Sequence, residues 1–226
     1  MVPVPAPLLS TAAVGSLCAT FVTDLGVSAA SITVFGVAGR QSTVCVSDEW
    51  GARLDALQFE LGEGPRWEAL GSRAPVLCPD LADGVPSAWP VLHEAARSRG
   101  AGAMFAFPMV MGAAVVGVVD LYCLAPYIGD RHFVSRASLL AGRVAGAAVQ
   151  KALRSAEDHL SPESALAPAL RREVHQATGM IVSQLDVSAT EAFSRLQGHA
   201  FATGRSIEAI AHDVVGRVLD FTEQPD

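Results

Sequence analysis

The chain has 226 residues, half of them hydrophobic and 17% charged, with a net charge of −7. Its length suits one medium domain plus a small one, and its wealth of core-forming residues excludes a disordered chain. The acidic balance excludes a molecule whose whole surface attracts phosphates; any nucleic-acid surface must be a local patch, built on arginine because Lys151 is the only lysine.

Met1–Ser10 lacks the basic segment of a signal peptide, so the cytoplasm is the expected compartment. Leu9–Leu25 reads as a helix closed by Gly26, and Ser31–Gly36 and Ser42–Ser47 read as a hairpin turning at Gly39 and Arg40. Asp48–Phe59 is a predicted helix ending near Gly62. Glu63-Gly64-Pro65 then turns into a helical stretch, Arg66–Leu70. Ala74–Cys78 is a short strand, and Pro90–Arg99 a helix stopped by Gly100. Ala101–Val119 holds nineteen uncharged residues, enough for a membrane span. Pro108, Gly112 and the valines after them favour two strands joined through Met109–Gly112 instead, the second reaching Cys123. Phe133–His159 reads as one long helix whose small residues (Ala141, Gly142, Ala145, Gly146) would let another helix approach closely. The order of elements predicts an α+β domain around one antiparallel sheet. Ser161–Pro168 reads as a linker.

Beyond it the periodicity turns helical. Leu170, Val174, Ala177, Ile181 and Leu185 form one stripe. Ser188 and Glu191 match a capping box for a second helix carrying Phe193, Leu196 and Ala200 and stopped by Gly204. Ser206 caps a third, with Ile207, Ile210, Ala211 and Val214. So small a bundle is near the lower limit of independent stability and is expected to lean on a neighbour or a second copy.

The run His175-Gln176-Ala177-Thr178-Gly179-Met180-Ile181, with Ser188, Glu191-Ala192-Phe193, Leu196, Ala200, Arg205 and Ile210-Ala211, resembles an ANTAR domain. Upstream, Leu61–Pro65, Val76, Asp80-Leu81, Trp89-Pro90, Ala106–Met109, Gly117 and Leu121-Tyr122 resemble a GAF domain. The resemblance implies a GAF-like antiparallel sheet domain with its connecting helix (1–156), a linker (157–168) and an ANTAR three-helix bundle (169–226). It further implies a sensor whose long helix transmits a small-molecule or protein signal, and a bundle that binds RNA with paired stem-loops in transcription antitermination. A homodimer would match the two stem-loops. Two positions depart from the ANTAR pattern: Thr178 and Gln197 stand where basic residues are usual, which removes charge that would reach phosphates.

Arg171 and His175, and Arg195 and His199, each share a helix face, while Arg205 lies at a turn and His212 on the third helix. Between Ala169 and Leu219 five arginines meet five carboxylates, so charge alone favours ordinary solvated faces. The resemblance instead assigns Arg171, Arg172, His175, Arg195, His199, Arg205 and His212 to RNA. A module that has lost RNA and binds a protein partner is the alternative that Thr178 and Gln197 support. In the GAF-like part, Trp50, Arg66, Trp67, Phe105 and Phe107 are the candidate ligand-lining residues, with core packing the competing role of the aromatics. Cys18, Cys45, Cys78 and Cys123 form no CxxC pair, so their spacing gives neither a metal signature nor a disulfide framework, and the three that sit in apolar runs are expected to be buried free thiols. No cofactor motif is present. With no feature that activates a thiol and no paired carboxylates, a non-catalytic protein is expected.

Overall fold

The computed structural model describes residues 17–36, 41–83, 89–157 and 167–223. The predicted turn at Gly39 and Arg40 and most of the linker lie outside the described residues, as does the start of the predicted first helix.

Five strands form one antiparallel sheet in the order β2-β1-β5-β4-β3: β1 Ala29–Phe35, β2 Gln41–Val46, β3 Val76–Cys78, β4 Ala103–Met111 and β5 Ala114–Cys123. The uncharged stretch that mimics a membrane span is therefore the β4–β5 hairpin, and no helix among the described residues is long and apolar enough to cross a membrane. Pro108, which cannot donate to a ladder, lies past the end of β3, where that edge of β4 has no partner strand among the described residues.

Alternation along β4 separates two cores. Phe105, Phe107 and Met109 face α1 (Leu17–Leu25) and α5 (Arg131–Glu157), where Phe133 anchors an aromatic group with Phe105, Phe107 and Tyr127. Ala137, Ala141, Ala145 and Ala148 of α5 are buried there, and their small side chains bring the helix close to the sheet. Met104 faces the other side, with Leu54 of α2 (Glu49–Leu61) and Trp89 and Leu92 at α4 (Pro90–Ser98). Ala106 packs with Ala69 of α3 (Pro65–Ser72). Gly64 at the head of α3 has φ 123, a conformation closed to most side chains.

One expectation fails outright. Cys18 and Cys45 are joined in a disulfide across 27 residues, tying α1 to β2, while Cys78 and Cys123 are buried free thiols. A bulge explains the pairing. Ile32 pairs with Cys45 but Thr33 pairs with Thr43, so Val44 is an extra residue that turns Cys45 to the α1 face.

The C-terminal helices α6 (Ala167–Leu185), α7 (Ala189–Thr203) and α8 (Ile207–Val215) close around Val174, Ala177, Ile181, Leu196, Ile210 and Val214. Ser188 and Ser206 accept the expected cap hydrogen bonds from Glu191 and Ala209, and Gly204 ends α7 at φ 65. The reciprocal half of the capping box is not made. The Glu191 carboxylate turns forward to Arg195.

Candidate nucleic-acid interface

The bundle's surface follows from its helical period. Residues between the buried stripes face outward, and these include Arg195, Arg205 and His212. Arg195 pairs with Glu191 at 3.0 Å, Arg205 with Asp213 at 2.7 Å, and the His212 ring lies 3.4 Å from Glu173. All three pairs are solvated, so they constrain the cations weakly and leave them free to exchange partners. His199 sits against the ring of Phe221. The side chains of Arg171 and Arg172 lie outside the described residues.

Arg217 is the cation that sequence reasoning passed over. It occupies the left-handed turn after α8, at φ 56, and forms no ion pair among the described residues. It borders a groove of about 470 Å³ whose other walls are Gln176, Gly179, Met180, Ser183, Gln184, Leu219 and Asp220. The five α6 residues recur every three to four positions, a periodicity that identifies them as one outward face; nothing local indicates that the chain after Gly216 folds back beside it.

The remaining predicted contact, His175, is engaged elsewhere. Its Nε2 donates to the Gln41 carbonyl of β2 at 2.9 Å, and its ring packs edge-on against Phe59 of α2. Phe59 is 1% exposed and belongs to the bundle's own apolar core, where it also meets Phe193. Gln197 donates to the Glu60 carbonyl at 2.7 Å. Thr178 is buried, with its hydroxyl donating to the Val174 carbonyl at 2.7 Å. Neither departure from the ANTAR pattern therefore lies on a free phosphate-facing surface: one is internal, the other holds the sheet domain.

The candidate ligand residues do not converge on one cavity. Phe105 and Phe107 lie beneath α5, whereas Trp50, Arg66 and Trp67 lie across the sheet. Each indole is satisfied locally, Trp50 by the Arg99 carbonyl and Trp67 by the Gln58 carbonyl. Arg66 is wholly buried, with Nη2 on Asp55 and Nε on Asp120 at 2.8 Å, while Gln58 and Tyr122 extend the network. Burial disfavours the guanidinium's charge, but Asp120 and Asp55 outweigh it and raise its proton affinity. Burial also pushes the Asp120 carboxyl up. Arg66 is thus the buried counter-ion of two carboxylates in this packing.

Residues 165–215 match the family model of the ANTAR domain. The C-terminal bundle thus resembles an ANTAR domain. The sheet domain is similar in fold to a domain of a putative two-component sensor histidine kinase from Sinorhizobium meliloti 1021 (18% identity, 63% of this chain and 93% of that one, TM-score 0.46). It is also similar to a GAF domain/HD domain protein from Geobacter sulfurreducens (14%, 61% and 90%, 0.44) and to a type II free methionine-R-sulfoxide reductase from Thermoplasma acidophilum (11%, 59% and 87%, 0.41). No curated protein matches the chain.

Proposed function

We propose that this chain is a cytoplasmic sensor–regulator whose GAF-like sheet domain controls an ANTAR domain that binds RNA with paired stem-loops and acts in transcription antitermination. The match of residues 165–215 to the ANTAR model carries this reading. Arg195, Arg205, His199 and His212, with Arg171, Arg172 and the added Arg217, supply phosphate contacts, and His175 joins them when it leaves Gln41. Loop bases are read by polar and apolar groups of the same faces, as is usual for RNA. A homodimer presents two such faces; the outer side of α5, with Leu139 and Leu153 exposed and open space over Gly142 and Gly146, offers the seam. The small-molecule or protein signal acts on the α2–α4 side of the sheet near Trp50 and Trp67, behind which Arg66 lies buried; Phe105 and Phe107 stand in the core across the sheet.

Chemistry at sulfur is not part of this reading. Burial pushes the Cys123 thiol up to about 11 and raises that of Cys78, the opposite of what a thiolate nucleophile requires.

The test is a gel shift of the full chain with tandem hexaloop stem-loops at pH 6 and pH 8 in moderate salt. A shift at either pH is expected, and no shift at both from folded protein refutes RNA binding. Arg205→Ala should weaken binding severalfold and lower the salt slope by about one ion. An unchanged slope removes Arg205 from the interface.

A further inference from the structure

Arg217 and Asp220 line one groove with opposite charges, yet neither forms an ion pair among the described residues. The wall that carries them is fixed by its own hydrogen bonds. The Arg217 amide donates to the Val214 carbonyl at 3.0 Å and the Val218 amide to the Asp213 carbonyl at 2.7 Å. Phe221 anchors the far end: its ring is buried in the bundle core, and its amide donates to Gln184 Oε1 at 3.4 Å. Asp220 Oδ1 accepts from the amide and the hydroxyl of Thr222, at 2.9 and 2.7 Å. These bonds hold its carboxyl below the usual range and leave Oδ2 without a donor among the described residues. Across the groove the α6 wall is open at Gly179, which is exposed and has nothing within 4 Å of where a Cβ would stand. Half-buried Met180 gives it an apolar surface.

We propose that this groove takes one unpaired loop nucleotide of RNA, with Arg217 on its phosphate and Asp220 on the N–H edge of its base, a site that rests on the RNA binding proposed above. A carboxylate repels phosphate, so Asp220 has no use in a surface that only follows the backbone. Toward a base it discriminates, because an ionised carboxyl accepts hydrogen bonds and donates none. Adenine, cytosine and guanine each carry an exocyclic amino group to offer it, and uracil carries none, so the groove selects against uracil. Met180 supplies a polarizable surface for the face of the ring. The volume of about 470 Å³ falls within the roughly 300–1,000 Å³ of small-ligand sites, enough for one nucleotide and too little for an RNA helix. Reading the edge of a base splayed from a loop is the usual source of sequence specificity in RNA.

The test is a gel shift of the full chain at moderate salt with tandem hexaloop stem-loops, each loop base other than uracil being replaced by uracil in turn. At one loop position the native chain should lose about tenfold in affinity. Asp220→Asn keeps an acceptor for Thr222 but adds a donor, and should reduce that difference to about twofold. Arg217→Ala should weaken all the RNAs alike and lower the salt slope by about one ion. Gly179→Leu fills the groove from an exposed helix position, so its thermal melt should match the native one while binding falls about tenfold. If the native chain shifts RNA but is indifferent to uracil everywhere, or if Gly179→Leu binds like the native chain, the groove is not the base site and RNA binding stands. A uracil penalty untouched by Asp220→Asn overturns the proposal in the same way. A free mononucleotide that displaces the RNA at micromolar concentration also overturns it, by making the groove a small-molecule site. No shift by the folded native chain overturns both this site and the RNA binding on which it rests.

Discussion

Replacing Arg66 by Met should cost the sheet domain about 3–5 kcal/mol at pH 7, the usual penalty for removing one partner of a buried ion pair. Arg66 is 0% exposed and serves two carboxylates, Asp55 and Asp120, which are 0% and 1% exposed. Methionine fills most of the vacated space, so the cavity contribution is small and the loss reports electrostatics. With a denaturant slope of about 2 kcal/mol per M, the urea midpoint should fall by about 2 M. The deficit also depends on pH. Without the guanidinium, burial drives the Asp120 carboxyl further up, so the folded state binds a proton the unfolded state releases. Stability is then recovered in acid and lost as pH rises through the raised value. The penalty should therefore be smaller at pH 4.5 than at pH 7, and adding Asp120→Asn should recover part of it. Urea melts of the single and double variants at the two pH values decide the matter. A loss below about 1 kcal/mol at pH 7, or one indifferent to pH and to Asp120→Asn, would refute this account.

Two further outcomes follow from the same packing. Cys18→Ser should destabilise the sheet domain by about 3–4 kcal/mol, the loop entropy of a cross-link spanning 27 residues. Reductant should reproduce this loss in the native chain and leave the variant unmoved in thermal melts, and the reduced chain is the form a thiol-rich cytoplasm would maintain. Gly64→Ala should cost more than about 2 kcal/mol in the same melts. It combines φ 123 with a Cβ that would run into Leu92 and Gln58, and a change below 0.5 kcal/mol would mean that the α2–α3 turn relaxes freely.

The ANTAR bundle was legible in the sequence because its signals are local: Ser188, Gly204 and Ser206 mark helix ends within a few residues of the stripes they bound. The sheet's strands were legible for the same reason. The disulfide was not. In an unbroken β2, Thr43 and Cys45 would share the face that carries Asp55, and only the extra residue Val44 sends Cys45 to α1. A bulge is a property of the pairing, and no residue of Thr43–Cys45 announces it. The role of Arg66 as a buried counter-ion was not legible, because its partners lie 11 and 54 residues away in sequence. Phe105 and Phe107 share a face by alternation, but which helices cover that face is decided by the crossing of α5, beyond the reach of any local pattern.

The same distinction bears on how the domains communicate. The long helix α5 looks like the natural conduit by length, yet its buried alanines lock it to the sheet, and it is α2 that carries groups into both cores. One turn of α2 separates Asp55 from Phe59, so a helix moved by any rearrangement of the Arg66 network moves Phe59 as well. Close-packed cores resist deformation, so such a movement would be felt in the packing around Val174, Leu196 and Ile210. Gln197 joins the same contact, its neutral amide donating to the Glu60 carbonyl at 2.7 Å.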